Sequence, residues 1–129
     1  MNGRRTFAHE DILYSYTRAE ALADGVLLDI TTLAKEAGII SPTAITAAAW
    51  ATAVEPPRDS RDQSIEGRTW DILQVLRSTA RNAGKRSRID FIIRVKEQAG
   101  VWRDVPLKAL AHPGDSGEPV ISILLPYED

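Results

Sequence analysis

Residues 88–125 contain three runs with strand periodicity separated by turn clusters, and no other feature constrains the fold of this chain so strongly. From Arg88 to Lys96, Ile89, Phe91, Ile93 and Val95 point one way. Arg88, Asp90, Arg94 and Lys96 mostly point the other way, and Ile92 breaks the alternation. Gln98-Ala99-Gly100 reads as a turn. A second strand is expected from Trp102 to Ala111, with Val105, Leu107, Ala109 and Ala111 on one face. Pro106 has no N–H for a ladder, which makes that strand bulged or partly an edge. After the turn at His112–Gly117, Val120 to Leu125 is almost wholly apolar, as expected of a strand covered on both faces.

The first two thirds of the chain read mainly as helices. Thr17-Arg18-Ala19-Glu20 fits a capping box, and the helix it opens should close near Gly25. Val26 to Ile30 suits a short strand, and Thr31 or Thr32 a second capped helix ending at Gly38. Ser41-Pro42 suits a helix start, predicting a helix to about Val54 before Pro56-Pro57. Residues 56–67 read as a loop rich in Pro, Asp, Ser and Gly. Trp70, Leu73, Val75, Leu76 and Ala80 form an apolar stripe that predicts a helix over 68–83, ended by Gly84. Helices followed by a meander imply an α+β fold, with N-terminal helices packed on a three- to four-stranded antiparallel sheet. The length of 129 residues suits a single domain over 1–129, with residues 1–10 as a loose polar lead.

Composition narrows the chemistry. With 43% hydrophobic and 26% charged residues, a packed core is expected rather than general disorder. The absence of cysteine excludes disulfides, thiolate nucleophiles and Cys-type metal sites, and favours a reducing cytoplasmic location. No apolar run approaches membrane-spanning length, and the N-terminus lacks a signal-peptide pattern. A formal net charge of −2 directs attention to local charge rather than to the sum.

Local charge gathers at Arg77, Arg81, Lys85, Arg86 and Arg88, where no acidic residue intervenes. Such a cluster suits phosphates or an acidic protein surface; equally, cations near a helix C-terminus favour its dipole and a charged face is ordinarily solvated. Tyr14 and Tyr16 are further binding candidates on a short extended segment, whereas Trp50 and Trp70 read as core and Trp102 as half-buried. Gly114-Asp115-Ser116-Gly117-Glu118-Pro119 resembles the nucleophile segment of trypsin-like serine proteases. Neither His9 nor His112 stands in that family's histidine motif, and the chain is too short for its two barrels, so the segment reads as a turn. Zinc from scattered His, Asp and Glu has no supporting spacing, and no P-loop or GxGxxG occurs, so neither a metal nor a cofactor is expected.

The segments 14–27 (YSYTRAEALADGVL), 34–38 (AKEAG), 70–73 (WDIL) and 113–120 (PGDSGEPV) resemble an uncharacterised domain family carried by bacterial plasmids, integrative elements and phages. The resemblance spans nearly the whole chain. It implies a cytoplasmic accessory protein of a mobile element and carries over no catalytic residue. The resulting expectation is a non-enzymatic binding protein, an anti-defence inhibitor (anti-CRISPR or anti-restriction) blocking a host protein or ribonucleoprotein complex. Arg77, Arg81, Lys85, Arg86, Arg88, Tyr14 and Tyr16 would form its surface. Two alternatives stand beside it: nucleic-acid binding through the 77–88 cluster, and a small enzyme using His112, Asp115 and Glu118. No membrane partner is expected, and a homodimer remains open.

Overall fold

The computed structural model describes residues 16–55, 64–97 and 100–129. In chain order these form α1 (Arg18–Ala23), β1 (Leu27–Asp29), α2 (Thr31–Glu36), β2 (Thr43–Thr46), α3 (Ala47–Ala53), α4 (Ile65–Ala83), β3 (Arg88–Lys96), β4 (Trp102–Pro113) and β5 (Pro119–Leu124). The fold is α+β, and its strands make one sheet in the order β1-β2-β5-β4-β3. The C-terminal meander is antiparallel as expected, but the sheet has five strands and is mixed, because β2 joins β5 in parallel.

That difference originates at residues 41–54. In place of one helix from Ser41-Pro42, Thr43–Thr46 is a strand and only Ala47–Ala53 is helical. All four residues of β2 are buried. Ile45 aligns with Leu28 of β1 on one side and with Ile123 of β5 on the other. Three of the four are β-branched, which suits a strand. Four residues are too few to carry a period of their own, so only the two neighbouring strands decide between strand and helix. Thr46 then ends the strand and caps α3, its Oγ1 accepting from Ala49 N at 3.1 Å. The same hydroxyl donates to Glu128 Oε1 at 2.7 Å, tying the C-terminus to this junction.

Smaller differences have equally local causes. The capping box on α1 forms as expected, with Thr17 and Glu20 bonding reciprocally. On α2, neither Thr31 nor Thr32 is the cap; Asp29 Oδ1 accepts from Thr31 N at 2.9 Å. α4 begins at Ile65, because Ser64 Oγ accepts from Gly67 N at 2.8 Å and draws residues 65–67 into the helix. Residues 56–63 of the expected loop lie outside the described residues. β4 runs on to Pro113; its Pro106 aligns with Ile92 of β3, in the half of β4 that β5 does not reach.

The core fills one face of the sheet. Phe91, Ile93 and Val95 of β3, Val105 and Leu107 of β4 and Ile123 of β5 meet Ile72, Leu73 and Leu76 of α4. Ala34, Ala49 and Ala53 let α2 and α3 approach closely. Trp50 and Trp70 pack half-buried against this core, near their expected places. Arg68 is buried at 8% exposure although it stands off the apolar stripe. Its guanidinium donates to Glu55 O at 3.1 Å and to Lys96 O, satisfying carbonyls at the end of α3 and of β3.

The opposite face is only half covered. Lys108 is buried at 6% exposure there, its Nζ donating to the carbonyls of Pro126 and Glu128. α1 lies over Ser122, as its hydrogen bonds show below. Over β3 and the first half of β4, Ile92 and Trp102 stand 61% and 56% exposed. Trp102 is thus more open than its sequence context suggests.

Thr46→Ala should destabilise the fold by about 1–2 kcal/mol, the usual range for a lost N-cap, with the Glu128 bond lost as well. Thr46→Ser should recover most of it. Urea unfolding of the three proteins measures the difference.

Candidate functional site

The structure divides the basic cluster. β3 has a period of two, so Ser87 and Ile89 turn toward α4 while Arg88 turns to the opposite face. There the Arg88 side chain pairs with Asp90 at 3.0 Å. That bond holds the Asp90 carboxyl below the usual carboxylate range and raises Arg88. Arg88 therefore leaves the surface on which the sequence placed it.

Arg77 and Arg86 are instead brought together. They flank a cleft of about 230 Å³ between the C-terminal end of α4, the start of β3 and the end of α2. Ile39, Leu76, Ala80, Ile89, Ala109 and Ile121 supply its apolar lining. Both guanidinium side chains are exposed. Among the described residues neither forms an ion pair, unlike Arg88, Arg94 and Arg103. Arg81 stands one helical turn beyond Arg77, and Lys85 follows the glycine that ends α4; both are exposed.

Gly38 borders the same cleft. Its φ is +94, and a Cβ there would lie 2.8 Å from Arg77 Nε. The backbone conformation favours glycine, whereas the approach involves only the far end of an exposed, flexible side chain that can move aside. Sequence reasoning read Gly38 as a helix end and missed its nearness to Arg77, because no local signal links residues 38 and 77.

A larger hollow of about 410 Å³ lies at the other end of α4, bordered by Trp70, Trp102, Asp71, Arg94 and Lys96. Its charges are mixed in sign, and Arg94 is paired with Asp104 at 3.5 Å. The smaller cleft has the clearer recognition chemistry: one sign of charge around an apolar floor.

The remaining candidates that are described make hydrogen bonds within the fold. Tyr14 lies outside the described residues. Tyr16 is 40% exposed, and its hydroxyl donates to Asp24 Oδ2 at 2.7 Å, clipping the start of α1 to its end. This bond to a carboxylate raises the Tyr16 pKa.

The 112–118 turn does bring His112, Asp115 and Glu118 into one region, but the chain's own groups occupy them. Asp115 accepts from the backbone N–H groups of Arg18 at 2.8 Å and Ala19 at 3.0 Å, capping α1 from across the fold. Glu118 Oε1 accepts from Ser116 N at 2.9 Å. His112 Nδ1 lies 3.0 Å from Pro113 O, which can only accept, so this nitrogen carries a proton. Its Nε2 lies 2.8 Å from Ser122 Oγ, and that oxygen accepts from the Arg18 guanidinium at 2.8 Å. The guanidinium also donates to Ile121 O at 3.0 Å. Burial lowers the Arg18 pKa, against the pull of Asp29, Asp115 and Glu118. Ser122, at 7% exposure on the central strand, lies beneath this contact. The trio of His112, Ser122 and Arg18 thus fastens α1 to the sheet. Arg18 and Ser122 carried no sequence signal, since they stand 104 residues apart.

A model of a family of unknown function (DUF6573) matches residues 1–129. The chain belongs to this family. No curated protein and no solved structure matches it. Membership carries no activity to these residues. Among the described residues, no helix is long and apolar enough to cross a membrane. Among the same residues, no group of three or more His, Asp or Glu side chains could hold a metal ion.

The Asp115 contact has a pH signature. Its two backbone N–H bonds favour the carboxylate and hold its pKa below the usual range. The unfolded chain therefore binds this proton more readily than the folded one. The stabilisation is complete above the ordinary aspartate pKa of about 3.9 and fades as pH falls through the depressed value. Asp115→Asn should lower the Tm at neutral pH, and the gap to wild type should narrow as pH falls below about 4. Circular dichroism melts across this range report it.

Proposed function

We propose that this protein is a non-enzymatic binding protein of a mobile genetic element that blocks a host defence complex, using the Arg77–Arg86 cleft to grip an acidic segment of the target. The observation that carries the reading is the cleft itself: two guanidinium groups without ion-pair partners among the described residues, over an apolar floor. Its volume of about 230 Å³ falls below the roughly 300–1,000 Å³ usual for small-molecule sites. A single apolar side chain from a partner fits such a hollow better than a free metabolite does. Arginines at the rim would pair with carboxylates flanking that anchor, combining an apolar hot spot with planar, bidentate recognition.

The division of the cluster favours this reading over a nucleic-acid groove. A phosphate-tracking surface benefits from a continuous row of cations, and here Arg88 is turned away and held by Asp90. The mobile-element setting rests on the family resemblance alone, and the anti-defence role on the general association of small accessory proteins with such elements.

The test is a binding assay against purified host nucleases and CRISPR effector complexes, with fold checked by circular dichroism. Arg77→Glu/Arg86→Glu should weaken the complex at least about ten-fold, as expected when central interface arginines are reversed. Arg88→Glu, on the other face, should change little. Equal loss in both variants, or in neither, would remove the cleft from the interface. A salt-dependent gel shift that needs Arg81 and Lys85 would instead support nucleic acid.

A further inference from the structure

Ser87 lines the same cleft as Arg77 and Arg86 and is next in the chain to Arg86. Its backbone is held at the start of β3, where its carbonyl accepts from Ala111 N at 2.8 Å. The residue is exposed. Among the described residues its hydroxyl makes no hydrogen bond, whereas those of Ser64 and Ser122 are engaged. No acidic side chain of the described residues lines the cleft, so none supplies a countercharge to the two arginines there. An anion with several acceptor oxygens suits such a pair. A carboxylate offers two oxygens and a single charge. A phosphate monoester offers three oxygens and about −1.5 to −2 charge at neutral pH, enough to engage both guanidinium forks.

We propose that Ser87 is a phosphorylation site, and that its phosphate seats between Arg77 and Arg86 and closes the cleft. The step is phosphoryl transfer from ATP by a serine/threonine protein kinase. The bond between Ser87 Oγ and the γ-phosphorus forms, the bond from that phosphorus to the departing ADP oxygen breaks, and the hydroxyl proton passes to the kinase's base. The surroundings suit such an enzyme. Residues 84–88 are all exposed, and 84–87 lie between α4 and β3, outside both elements. Lys85, Arg86 and Arg88 flank the hydroxyl with cations, a charge pattern that an acidic substrate groove can read. The phosphate is tethered beside its partners, so it competes at an effective concentration that an acidic segment in solution does not reach. That it thereby excludes the target rests on the reading of the cleft given above.

The seat is tested on full chains synthesised with phosphoserine at position 87 or at position 78. Ser78 is also exposed and adjoins Arg77, but lies outside the cleft. Phosphorus NMR follows the second phosphate proton, which phosphoserine ordinarily loses near about pH 6. At position 87 it should leave at least about one pH unit lower, because the guanidinium groups favour the dianion. Arg77→Gln/Arg86→Gln should bring it back to near the ordinary value. A phosphate at 87 that titrates like the one at 78, or that ignores the loss of both arginines, would overturn the seat.

Incubation of the wild-type chain with ATP and a purified serine/threonine kinase selective for basic flanks should label Ser87, as mapped by mass spectrometry. Labelling elsewhere alone, or none, would overturn the modification. In the target-binding assay, phosphoserine at 87 should weaken the complex at least about ten-fold, as Arg77→Glu/Arg86→Glu does. Undiminished binding, where that charge reversal still weakens the complex, would sink the closure. If neither change weakens it, the closure falls together with the cleft reading. The titration and the labelling need no target and decide the seat and the site by themselves.

Discussion

Burial of β5 on both faces and both edges is the constraint from which the rest of the architecture follows. Val120, Ile123 and Leu124 are nearly inaccessible, with exposures of 1%, 0% and 5%. Their backbone groups require a neighbour on each side, because an unpaired N–H or C=O away from water is strongly unfavourable. β4 supplies one neighbour through a tight hairpin, and β2 supplies the other in parallel. A parallel partner cannot be reached by a hairpin, so a long connection must intervene, and α3, α4 and β3 lie within it. The apolar sides of those elements close the principal core.

Covering the second face of β5 explains the polar residues that look most like chemistry. Arg18 reaches Ser122 and Ile121, Asp115 holds the first turn of α1, and Lys108 holds the last carbonyls of the chain. Each is a charged group satisfying backbone or hydroxyl partners near the sheet, where hydrogen bonds are strong and unmade ones are unfavourable. A short helix of six residues has little stability of its own and depends on such anchors. The turn that resembles a protease segment is one of these anchors.

Where the two layers end, the molecule has surface left over. Between α4, the segment after α2 and the start of β3 a cleft remains, with Arg77 and Arg86 beside it. On the other face, α1 and the C-terminal residues stop short of β3, leaving Ile92 uncovered. At the first surface Arg77 and Arg86 have no ion-pair partner among the described residues, whereas at the second Arg88 and Arg94 are paired with Asp90 and Asp104.

The local grammar of the sequence determined much of this protein: the capping box at Thr17, the alternation that sets β3, the stripe that buries α4, the apolar run of β5 and the turn before it. Each is a short-range preference, written in neighbouring residues and legible without a structure. The mixed sheet, the role of residues 43–46, the burial of Arg68 and the separation of Arg88 from Arg77 and Arg86 were decided only by the tertiary structure. Thr43–Thr46 has no distinguishing period; its strand state comes from two partners, one of them some eighty positions distant. The cleft likewise gathers Gly38, Arg77 and Arg86 from three separate parts of the chain. Contacts across such distances arise from packing and hydrogen-bond satisfaction, which a linear pattern does not encode.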